Sequence, residues 1–199
     1  MASHGTAVPA DMTSDLEARA LDWIAPFSQA EHLIQARAWV LRLDPAASLA
    51  IRLAALTHDV ERMFAGGPQQ NFAEDRWDDP DYLFAHSTRS ADFVQRWLED
   101  GAEPPDASFI RDVRRLVLLH ELGGDAEADV LQAADSLSYL ETLQELTAGW
   151  VAANLCSAEK ARDKLVYMRD RIRIPSARRL AEPLFEAAAA RLGGASPGT

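Results

Sequence analysis

Helix punctuation constrains this chain more than any other feature of its sequence. Asp44-Pro45 and Asp79-Pro80 each pair an N-cap residue with proline at the first helical position. Gly66-Gly67-Pro68 and Gly123-Gly124 are helix stops. Between these marks apolar residues recur at helical spacing, and the alternating apolar-polar runs of strands are absent. The many alanines and arginines favour helix as well. The expectation is an all-α single domain of about seven helices.

The segments read as follows. Ser28 to Glu31 has a capping-box pattern and opens a helix to about Leu43. A second helix starts at Asp44-Pro45 and ends near Phe64. A polar loop follows from Gln69 to Asp79. The helix from Asp79-Pro80 to Asp100 has a break near His86, and Gly101-Ala-Glu-Pro-Pro105 is a linker. Asp106 or Ser108 caps a helix reaching His120. The next begins near Asp125, carries Asp135 and runs to about Trp150. Ser157 caps one to about Ile172, and Pro175 opens the last, Ala177 to Leu192. Residues 1–12 and 194–199 read as flexible tails around a domain over 13–193, and His4, in the first tail, has no role.

With 48% hydrophobic residues in 199, one domain can bury a real core. The net charge of -11 repels nucleic acid and anionic membranes, so neither is an expected partner. A small anion is still admissible, because bound cations reverse the sign locally. Arg169, Arg171, Arg173, Arg178 and Arg179 form a basic patch that reads as a solvated helix face paired with acids. One cysteine, Cys156, rules out an intrachain disulfide and suits a reducing compartment. Cys156 has no neighbouring base and reads as a packed thiol. Neither a signal peptide nor an apolar membrane span is read, which leaves the cytoplasm as the default location.

The chemistry is carried by His32, His58-Asp59, His86, His120 and Asp135. His58 ends an apolar run, Leu49-Ala-Ile-Arg-Leu-Ala-Ala-Leu-Thr57, and His120 follows Val117-Leu-Leu119. Asp135 lies within an apolar helix face, where an isolated charge costs several kcal/mol unless a cation or many donors meet it. Any one of these histidines alone suits a structural role. Several helices each bringing an imidazole or carboxylate to a buried end suit a transition-metal site.

This ordered pattern resembles the HD-domain superfamily of metal-dependent phosphohydrolases, in its two-metal subset, over about Glu31 to Glu141. The resemblance implies an HD-type helical domain around two divalent transition metal ions: Fe, Mn, Zn, Co or Ni. Asp59 would bridge both ions, His32, His58 and Asp135 would complete the first, and His86 with His120 the second. Two such ions acidify a shared water and neutralise phosphate oxygens during in-line attack. The implied activity is hydrolysis of a phosphomonoester or nucleotide.

The dipeptide continues as His58-Asp-Val-Glu-Arg62, where the family often has a glycine and a lysine in the last two places. Arg62 can grip a phosphate, and Arg89, one turn beyond His86, is a second such candidate. Glu61 or Arg62 equally suits a surface salt bridge. Phe72, Trp77 and Tyr82 can cover a base or simply pack a loop. Ser136 and Ser138 can orient Asp135. The same ligand set in a minority of HD-fold proteins holds two irons for oxygenase chemistry, and a metal-stabilised nucleotide-binding module without turnover is a third reading.

Overall fold

The computed structural model describes residues 14–194. The expected tail at 1–12, with His4, and all but the first residue of the one expected at 194–199 lie outside them. Helix persists through Gly194, one residue into the expected second tail.

The described residues form nine α-helices and no strand. Helix α1 (Asp15–Ile24) opens with a capping box. Ser14 Oγ accepts from the Glu17 amide at 3.2 Å, and Glu17 Oε2 accepts from the Ser14 amide at 3.0 Å. Glu17 is fully buried, and its other oxygen receives Arg37 Nε at 2.8 Å.

Helix α2 (Ala30–Leu43) lacks the capping box expected at Ser28–Glu31: its N-cap is Gln29, with no side-chain cap bond. Buried Phe27 anchors the preceding turn, which main-chain bonds close. Helix α3 (Leu49–Thr57) is capped by Ser48 rather than Asp44. The Asp44 side chain instead accepts from the Ala46 amide at 3.0 Å, making an Asx-type turn. The helix also stops at Thr57 instead of near Phe64, and the chain rewinds as a short 3-10 segment, Val60–Met63.

Helix α4 (Pro80–Glu99) has the expected Asp79 cap and runs unbroken through His86. Helix α5 (Ala107–Leu119) is capped by Asp106, and left-handed Gly123 (φ 65°) then turns the chain. The single helix expected from Asp125 to Trp150 is two, α6 (Ala126–Thr142) and α7 (Gln144–Ala152), divided at Leu143. Ser157 caps α8 (Ala158–Asp170), and Pro175 opens α9 (Pro175–Gly194).

Helix α2 packs most extensively on α6, α3 packs on α2 and α5, and α4 lies along α5. Helices α8 and α9 cover α6 and α7. One continuous core joins them, with Leu33, Leu53, Leu56, Leu116, Leu131 and Leu137 fully buried. Each such side chain contributes about 1.5–3 kcal/mol through burial. Ala54, Ala55, Ala133 and Ala134 are also fully buried. No helix among the described residues is long and apolar enough to cross a membrane.

Candidate metal centre

His58 and His120 occupy equivalent places: each is the C-cap of its helix, α3 and α5. Carbonyls in a last helical turn have no intrahelical partner. The Nδ1–H of His58 is donated to Ala55 O at 3.0 Å, and that of His120 to Val117 O at 2.6 Å. Both rings are thereby oriented with Nε2 pointing away from the helix. The negative ends of two helix dipoles also meet here, which favours a cation.

The other two imidazoles are held by the same atom. His86 Nδ1 donates to Glu61 Oε1 at 2.9 Å. Ser138 Oγ donates to the His32 carbonyl at 2.7 Å, so toward His32 Nδ1, 2.9 Å away, it accepts. Four Nδ1–H groups are thus satisfied, and the four Nε2 atoms are left to face inward. His32 Nε2 lies 3.2 Å and His58 Nε2 3.5 Å from Asp135 Oδ1. His86 Nε2 lies 2.8 Å and His120 Nε2 3.9 Å from Asp59 Oδ1. The Nε2 atoms of His58, His86 and His120 are buried and without a hydrogen-bond partner.

Lone pairs of neutral imidazoles set against carboxylate oxygens repel unless a proton or a cation stands between them. A metal ion meets that need, with the second nitrogen of each ring anchored as metal-ligating histidines usually are. Three groups of side chains have ligand atoms within 4.8 Å of one another: His32, His58 and Asp59; Asp59, His86 and His120; and His120, Glu121 and Asp135. Asp59 belongs to two of them. These clusters fit metal ions, and all six residues expected as ligands are present in them.

Charge is balanced tightly around the cluster. Burial opposes ionisation of Asp59, but Arg62 and His86 hold its carboxyl well below the usual range. Burial likewise opposes ionisation of Asp135, which Arg171 and His58 hold well below that range. Arg62 donates from Nε to Asp59 Oδ2 at 3.0 Å and from Nη1 to the Tyr82 hydroxyl at 2.9 Å. The salt bridge considered for Arg62 is therefore part of the site. Glu61, considered for a surface pair, is 3% exposed and orients His86.

Arg89 is not brought to the cluster. Its guanidinium donates to the carbonyls of Phe64, Ala65 and Gly66 and lies beside Glu61. Its place is therefore to hold the turn after the 3-10 segment. Ser138 orients His32, whereas Ser136 accepts from Arg171 Nε at 2.8 Å. Cys156 is buried, and burial pushes its thiol up, as befits a packed side chain.

Two residues escaped the sequence reading. Arg171, expected on a solvated face, turns inward. It binds both Asp135 and Glu121, with its side chain 6% exposed. Glu121, 8% exposed, directs Oε1 to within 3.8 Å of His120 Nε2. Its main chain is fixed by Gln132 Nε2, which donates to Glu121 O at 2.8 Å. A sequence signal for Glu121 exists: His120-Glu121 repeats the imidazole-carboxylate dipeptide of His58-Asp59 after another apolar run.

A cavity of about 170 Å³ opens on the cluster, lined by His32, Asp59, Arg62, Glu121, Asp135 and Lys164 among others. Phe72, Trp77, Tyr82 and Trp150 form an aromatic wall of the same cavity. The Phe72 and Trp150 ring centroids are 4.6 Å apart, and those of Trp77 and Trp150 are 5.7 Å apart.

The protonation of the cluster predicts how an ion enters. Burial opposes a charge on His58, but Asp135 raises its pKa to about 9 from an ordinary 6.5. Burial lowers His120 to about 4. At pH 7 the metal-free protein therefore carries a proton on His58 that a metal must displace. Calorimetric titration in buffers of different ionisation enthalpy is expected to show about one proton released per chain from this source, with affinity rising toward pH 9. Binding at pH 7 without proton release contradicts it. The raised pKa also stabilises the metal-free fold fully below 6.5, and this contribution is lost as pH rises through about 9. His120 is neutral across that window and leaves the trend intact.

No protein-family model, curated protein or solved structure matches the chain.

Proposed function

We propose that the protein is a metal-dependent phosphohydrolase acting on a phosphomonoester or nucleotide through two divalent transition metal ions, as its resemblance to the HD-domain superfamily implies. The observation that carries this reading is the set of four buried histidines, all anchored at Nδ1, with Nε2 atoms converging on Asp59 and Asp135. When bound, the ions supply an acidified water and neutralise phosphate oxygens. His32, His58, Asp59 and Asp135 would hold one ion, and Asp59, His86 and His120 the other.

The remaining work falls to the chain. Arg62 fixes the Asp59 carboxylate and borders the cavity, where it favours a phosphorylated ligand. Trp150 and Phe72 offer flat apolar surface to a base or aryl group. Arg171 keeps Asp135 and Glu121 ionised.

Protein loaded with manganese, zinc or iron is expected to release phosphate from p-nitrophenyl phosphate or a nucleoside monophosphate, and to lose at least about 100-fold of that rate with chelator. Inert loaded protein across panels of both substrate types contradicts the proposal. Oxygen uptake by iron-loaded protein without phosphate release would favour the oxygenase chemistry instead.

A further inference from the structure

Lys164 borders the cavity, yet it has a different electrostatic situation from the arginines there. Arg62 is paired with Asp59, and Arg171 with Asp135 and Glu121. Among the described residues Lys164 forms no ion pair within hydrogen-bonding reach, although Glu121 and Asp135 attract its charge through space. Its ammonium lies instead among three rings, 5.5 Å from the centroid of Trp77, 5.2 Å from Tyr139 and 5.1 Å from Tyr167. Aromatic faces hold a cation in place without cancelling its charge. Burial pushes this ammonium down to about 8, so its charge gains from an incoming anion. Lys164 thus shares the cavity with Glu121 and Asp135 without being hydrogen-bonded to either, which leaves its ammonium donors open to a ligand.

We propose that Lys164 is an anion-docking residue, whose ammonium takes a phosphate oxygen of the molecule bound over the metal cluster. This deepens the phosphohydrolase reading and rests on it for the identity of the anion. Lysine suits the task because it is a mobile point charge that can follow a tetrahedral group. No sequence motif marks it, since Lys164 is one of several charged residues along that helix.

The test is isothermal titration of inorganic phosphate into the metal-loaded full-length protein. Wild type is expected to bind saturably. K164M is expected to bind at least about tenfold more weakly, as loss of one charge-assisted hydrogen bond implies. K164R is expected to stay within about threefold of wild type, because the charge is kept. Elemental analysis should show equal metal content in all three, which separates anion docking from assembly of the cluster. Wild-type affinity in K164M, or no saturable phosphate binding by the loaded wild type, overturns the assignment. If phosphate binding depends on Lys164 but no phosphoester is hydrolysed, the docking role stands and the hydrolase reading falls.

Discussion

Asp59→Ala protein is expected to retain neither metal ion. The Asp59 carboxylate shares ligand geometry with His32 and His58 on one side and with His86 and His120 on the other. Its Oδ1 approaches His86 Nε2 at 2.8 Å. Removing it strips a negative ligand from both groups at once and leaves Arg62 facing the cluster without its partner. The affinity for both ions should fall by at least about 100-fold, more than the loss usual when an orienting partner is removed. Phosphate release should fall with it. Elemental analysis after desalting checks this, with folding confirmed by circular dichroism. A variant that keeps one full equivalent of metal contradicts a bridging role.

The second large effect is expected at Arg171. Its guanidinium is buried between Asp135 and Glu121 and is also anchored by Ser136. Burial opposes ionisation of Glu121, but Arg171 outweighs it and lowers that carboxyl to about 2. In R171M both carboxylates lose the guanidinium that bridges them. Breaking a buried pair in this way costs about 3–5 kcal/mol. The loss should be largest in the metal-free protein and smaller once ions are bound, because bound cations then neutralise Asp135 directly. Urea unfolding of wild type and variant, each with and without metal, measures the difference. Equal losses in both states would show that Arg171 and the ions do not share these carboxylates.

Much of the fold was legible because its punctuation is local. Asp79-Pro80, Asp106, Asp125 and Ser157 cap helices as expected, since a short polar side chain before a helical run has one good use for its oxygen. The errors arose where tertiary contacts chose between equivalent caps. Asp44 and Ser48 both suit the start of α3; the turn at Asp44–Ala47 takes the first, and Ser48 remains. The stop at Thr57 carries no glycine or proline, so the sequence hides it, although it allows His58 and Asp59 to face one centre.

The clustering residues were legible as residue types in order along the chain: His58 and His120 close their helices, whereas His86 and Asp135 lie inside theirs. Arg171 and Glu121 were not, because their importance depends on distance across helices. Arg171 lies 36 positions from Asp135, and nothing near it distinguishes it from the arginines that face solvent. Arg89 failed in the opposite direction. Its helical register does place it beside His86, but a guanidinium can reach either way, and it meets the carbonyls at Phe64 to Gly66.

Anomalous diffraction at the absorption edge of a loaded metal is the most direct test of the central claim that the histidine Nε2 atoms converge to bind ions. Peaks are expected within about 2.0–2.2 Å of the Nε2 atoms of His32, His58, His86 and His120, with Asp59 contacting both. Saturated crystals with no peak among these residues, or with the metal held elsewhere, would contradict it.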